Sequence, residues 1–87
     1  MKPGEAMINQ GILDLTAGHE TIPALLVSIG APRLRRIGLI IPHAVYPSPE
    51  RRLYTMLRAS YEDAAHSQYN AWIRRLTSFE RAAECGT

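Results

Sequence analysis

Ala65, Tyr69, Trp72, Leu76, Phe79 and Ala83 recur at spacings of four, three, four, three and four residues. That alternation keeps one face of a helix apolar for almost three heptads. Ile73 widens the stripe, as expected for a helix packed into a globular core, and the opposite face (Asn70, Arg74, Thr77, Ser78, Arg81) suits water. Ser60, Glu62 and Asp63 supply a capping serine and two carboxylates at a helix start, and Gly86 supplies a stop. The spacing therefore predicts a helix over about residues 61–84.

A second helix precedes it. Ser48, Pro49 and Glu50 read as N-cap, first-turn proline and first-turn acid, with Leu53, Met56 and Leu57 facing inward. Ser60 favours a break between the two helices, a single long helix being the other reading. Upstream, the stretch PHAVYPSP from Pro42 to Pro49 holds three prolines in eight residues and is expected to be an extended connector.

In the N-terminal half, Ile22, Leu25, Leu26 and Ile29 share a helical face that Gly30 is expected to end. Pro32 then restarts a short helix to Ile37, with Gly38 as its stop. Ile8, Ile12 and Leu15 suit a first helix despite Gly11, which costs about 1 kcal/mol relative to Ala in a helix interior. A small sheet competes, with strands at Ile12–Thr16 and Ile37–Ile41 and a turn at Gly18. The expected fold is all-α: a small orthogonal or bundle-like domain of four to five helices with a long C-terminal helix. It comprises one domain over residues 1–87, with a helical half (1–41), the connector (42–49) and a C-terminal hairpin or long helix (49–85). The alternative is α+β with a small N-terminal sheet.

A chain of 87 residues supports one modest core, and domains of this size often need a staple. Cys85 is the only cysteine, so no intrachain disulfide forms, and His19, His43 and His66 are scattered. Self-association is the staple left. A net charge of +2 does not by itself imply nucleic acid or an anionic membrane. Nine of the ten basic residues are Arg, the side chain that grips carboxylate or phosphate with two prongs; Arg in place of Lys also follows a GC-rich bacterial genome. The start lacks the apolar run of a signal peptide, and the stretch Ile37–Pro42 is far too short to span a bilayer. A cytoplasmic protein without a membrane partner is expected.

No nucleophile elbow, phosphate-binding glycine loop, C-x-x-C or H-E-x-x-H occurs, so neither catalysis nor a cofactor is expected. The leading expectation is a small interaction or regulatory module. It would bind a partner protein or itself, as a homodimer, through Tyr69, Trp72, Ile73, Leu76 and Phe79, with Arg75 and Glu80 matched across a parallel helix pair. A nucleic-acid-binding regulator is the first alternative. Ile22–Ile29, Gly30 and Pro32–Ile37 have the outline of a helix-turn-helix, with Arg33, Arg35 and Arg36 on its second helix. Arg51 and Arg52 crowd the positive end of the next helix, locally unfavourable by roughly 0.3–1 kcal/mol each; solvent screening is the expected offset, with a bound anion or a partner chain's carboxylate as the alternatives. The second alternative is a metal site built on Asp63 and His66, one helical turn apart.

Overall fold

The computed structural model describes residues 3–85. Among them the fold is all-helical, and the stretches considered as strands are not paired into a sheet. Ile12–Thr16 belongs to helix α1 (Glu5–Ala17). Helix α2 runs Ile22–Ile37 and α3 Pro49–Tyr61; one turn of 3-10 helix (Glu62–Ala64) leads directly into α4 (Ala65–Cys85).

Helix α1 ends in an αL glycine. Gly18 N–H bonds the Leu15 carbonyl at 3.1 Å, and His19 N–H bonds the Asp14 carbonyl at 2.8 Å. This pair of backward bonds satisfies carbonyls that the helix end would orphan. The chain then bends by 96° into α2. Thr21 caps α2: its hydroxyl accepts from Ala24 N–H at 3.2 Å and donates to Asp14 Oδ2 at 2.7 Å. Gln10 Nε2 donates to the other carboxylate oxygen at 2.8 Å. One carboxylate on α1 thus holds the capping residue of α2.

At the crossing of α1 and α2, Gly11 faces the Pro23 backbone. A Cβ at Gly11 would lie 2.3 Å from the Pro23 carbonyl oxygen and 2.6 Å from Val27 Cγ2. The glycine that weakens α1 as a helix is what lets α2 approach. Val27 stands beside that crossing, and Ile8, Leu25, Leu26 and Val27 are each fully buried.

Helix α2 does not stop at Gly30, and Pro32 does not restart it. Pro32 removes one backbone hydrogen bond and strains the preceding turn, at about 3 kcal/mol. Beyond it Leu34 is fully buried and Ile37 partly so. Burying one such side chain contributes roughly 1.5–3 kcal/mol, enough to keep the last turns helical. Gly38 is the true stop: its N–H bonds the Arg35 carbonyl and Leu39 N–H bonds the Leu34 carbonyl, both at 3.1 Å.

Residues 38–48 carry no helix, as the prolines require. Ile41 is buried, and Ser28 anchors the segment from α2: its hydroxyl donates to the Ala24 carbonyl (3.0 Å) and accepts from Tyr46 N–H (3.3 Å). Helix α3 continues through Ser60, so the corner falls two residues later than the expected cap, at Glu62 with φ 49°. Consequently α4 begins at Ala65 rather than near residue 61. The Tyr54 and Tyr69 rings meet edge-on with centroids 5.7 Å apart. Residues about equally far from the corner are in contact, which is the pairing of an antiparallel hairpin. Gly86, the expected stop of α4, lies outside the described residues. No single helix among the described residues is long and apolar enough to cross a membrane.

Two predictions follow from these junctions. Gly11→Ala should lower stability by about 1–3 kcal/mol through overpacking, although Ala is the better helix former; an unchanged urea midpoint would show that the helices do not approach this closely. Thr21→Val should cost about 1 kcal/mol by removing the cap. Its second signature is electrostatic. The Thr21 and Gln10 hydrogen bonds hold the Asp14 carboxyl below its ordinary value. Their stabilisation is present above that ordinary value and is lost as pH falls through the depressed one. In Thr21→Val, the NMR titration of Asp14 should move back up.

Candidate functional site

The apolar stripe of α4 is divided between two surroundings. Leu76 and Phe79 are buried, at 3% and 4% exposure, together with Ala65 and Ala83 in the chain's own core. Tyr69, Trp72 and Ile73 are half-buried and pack at the margin of that core. Burial, with Glu50 of α3 adding, pushes the Tyr69 hydroxyl above its ordinary range. The Arg75 guanidinium lies 4.7 Å over the Trp72 ring, a cation–π contact. The indole N–H of Trp72 is buried and meets no acceptor among the described residues. Both charges expected to match across a helix dimer are engaged within the chain, Arg75 on Trp72 and Glu80 with Arg33.

Glu80 is the feature that sequence reasoning placed differently. It lies on α4, one residue beyond Phe79, and is only 5% exposed. Its room comes from α2: a Cβ at Gly30 would sit 2.9 Å from Glu80 Oε2 and 3.1 Å from Leu76 Cδ1. Arg33, one turn further along α2, places Nη1 3.3 Å from Glu80 Oε1 and bonds Glu84 through Nε. A small residue on one helix and a carboxylate on the other, with Arg one turn on, is a pattern visible in the sequence only once the helix pairing is known. Burial pushes the Glu80 carboxyl above its ordinary range, Arg33 opposing the shift and Glu84 adding to it.

Beside this pair, a cleft of about 590 Å³ is lined by Arg33, Arg36, Ile37 and Glu84. Arg35 turns away, donating from Nη2 to the Pro42 carbonyl at 2.5 Å. The expected helix-turn-helix is not formed, because Ile22–Ile37 is one helix with no turn at Gly30. The three arginines accordingly do not share one face toward a groove.

Arg52 finds its carboxylate within the chain. Nη1 pairs with Glu20 Oε1 at 3.1 Å, Nε donates to the Pro47 carbonyl at 2.9 Å, and the guanidinium lies 5.6 Å from the Tyr46 ring centre. The unfavourable charge at the start of α3 is thereby offset, while it ties the connector to the loop before α2. Arg51 is exposed. Asp63 and His66 are also exposed; Asp63 lies in the 3-10 turn, and His66 in the first turn of α4. Among the described residues, no group of three or more His, Cys, Asp or Glu side chains is placed to hold a metal ion.

Comparison with known proteins finds no matching family model, no similar curated protein and no similar solved structure.

The buried Glu80 gives a pH signature. A carboxyl raised on folding opposes the native state when ionised. That cost is absent below its ordinary value near 4.5 and complete above the raised one. Relative to Glu80→Gln, the wild type should therefore gain stability as pH falls from neutral toward 4.5. Parallel pH dependences of the two thermal midpoints would show that the carboxyl is not desolvated.

Proposed function

We propose that this chain is a small helical interaction module that self-associates through the exposed edge of its α3–α4 hairpin. One observation carries the reading: Tyr54, Tyr69, Trp72 and Ile73 remain half-buried after the chain has folded. Leu76 and Phe79 belong to the internal core, so the surface offered to a partner is narrower than the full stripe. Aromatic side chains at a partly covered edge combine large apolar area with few rotamers to immobilise, and interfaces are enriched in them. Tyr61, at the corner of the same hairpin, is 44% exposed and extends the apolar edge.

A second copy suits this edge better than a polyanion does. The half-buried residues that line it are uncharged, with the Arg75 guanidinium stacked on Trp72, and burying them would contribute roughly 25 cal/mol per Å² of apolar surface. A chain of 87 residues gains most from such a staple. A cytoplasmic setting fits the exposed free thiol of Cys85, which a reducing compartment keeps unpaired.

Sedimentation velocity across low to high micromolar concentration tests the reading. The wild type is expected to pass from monomer to dimer, and Ile73→Lys to remain monomeric. Arg81→Ser, on the opposite face of α4, should associate as the wild type does. A wild type that stays monomeric throughout retires the proposal.

A further inference from the structure

We propose that the cleft between the C-terminal halves of α2 and α4 receives a single oxyanion, a carboxylate or a phosphate on a small, partly apolar molecule. In this site Arg33 and Arg36 bind the oxyanion, and Glu84 holds its place when the cleft is empty. The inference stands apart from the hairpin edge and does not depend on self-association.

The first support is how Arg33 is held. A guanidinium carries five N–H donors in a rigid fork. Here Nε engages Glu84 and Nη1 engages Glu80 at 3.3 Å. No described group engages Nη2. Glu80 is almost fully buried, with its position fixed by the absence of a side chain at Gly30. Glu80 thus holds the guanidinium from the protein side, and the donors open to an oxyanion are those on Nε, where Glu84 sits, and on Nη2. Such an arrangement lowers the ordering cost of binding, because the recognising group is already immobilised.

The second support is Arg36, three residues on and therefore on the same side of α2. It lines the same cleft and makes no hydrogen bond or ion pair with any described residue. Arg35, between them, is withdrawn to the Pro42 carbonyl. Both arginines line a space of about 590 Å³, within the range of small-molecule sites, and Ile37 adds an apolar side chain to the lining.

Charge decides the kind of ligand. Arg33 and Arg36 together balance Glu80 and Glu84, so the empty cleft is close to neutral and a bound oxyanion leaves it net negative unless one carboxylate withdraws. Glu80 is enclosed; the Glu84 side chain is 48% exposed, near the end of α4. An incoming oxyanion would take the place of Glu84 on Arg33 while gaining Arg36. The exchange substitutes one anion for another. It has no counterpart for a cation, and it offers too few positive groups to a nucleic-acid backbone, whose binding grows with the number of phosphates neutralised.

The test is an NMR titration at low ionic strength with three probes: benzoate, phenyl phosphate and inorganic phosphate. Saturable shifts confined to residues 33–37 and the end of α4 are expected for at least one probe. Benzoate against phenyl phosphate distinguishes carboxylate from phosphate, and inorganic phosphate shows whether the apolar body is needed. Arg36→Gln should weaken binding about tenfold or more, the scale of one charge-assisted hydrogen bond. Glu84→Gln should tighten it severalfold by removing the internal competitor. Both positions are exposed or cleft-lining, and unchanged circular dichroism melts would show that the variants fold. Three outcomes overturn the proposal: no saturable shift with any probe, binding indifferent to Arg36→Gln, or weaker binding in Glu84→Gln. Binding of a short oligonucleotide when all three probes fail would overturn it too.

Discussion

Helix α2 touches α1, α3 and α4, and its ability to be covered on more than one side governs the rest. Eight of its residues are buried, among them Ala24, Ser28, Gly30 and Ala31 as well as leucines. At Gly30 a neighbour comes close, with Glu80 and Leu76 of α4 against it, and Leu25, Leu26 and Leu34 are fully enclosed. A helix enclosed in this way cannot show a clean polar face. Its polar residues must be satisfied internally, as Ser28 is by Ala24 and Tyr46, or carried at the exposed C-terminal turns, as Arg35 and Arg36 are.

This enclosure also explains the distribution of charge. Carboxylates elsewhere in the chain meet arginines at the helix ends: Glu80 and Glu84 of α4 meet Arg33, and Glu20 meets Arg52. The pair of Arg33 with Glu80 is the more consequential, since one partner is enclosed. Removing Arg33 alone would leave a carboxylate with poor solvation, whereas replacing both partners by apolar side chains could be nearly neutral. The pair therefore sets how α2 and α4 align more than it adds to stability. The surface it leaves consists of the aromatic edge at one end of α4 and the arginine-lined cleft at the other.

Much of the helical content was legible because it rests on periodicity. The four–three alternation from Ala65 to Ala83 requires a helix, and the prolines from Pro42 to Pro49 forbid one. What could not be read was the meaning of glycine. Gly18 and Gly38 end helices through αL backbone, with φ of 79° and 112°, while Gly11 and Gly30 sit inside helices to admit a neighbour. A single sequence cannot separate these uses, because the second depends on what lies across the interface. Reading Gly30 as a stop split α2 into two helices and gave rise to the helix-turn-helix outline. The same blindness hid the buried state of Glu80, whose space is opened by a residue fifty positions earlier. The stripe of α4 was located correctly, but its division into internal core and exposed margin required the partner helices.

The contact between Gly11 and the Pro23 carbonyl has a consequence for ancestry. Backbone presses on backbone there, so no rearrangement of side chains could make room for a larger residue. Lineages descended from this chain are free to exchange its leucines, redistribute its arginines and rebuild its connector. They would have far less freedom at that one crossing. A glycine followed eleven positions later by the start of a second apolar helix is thus the imprint by which distant kin would be found after overall resemblance has faded.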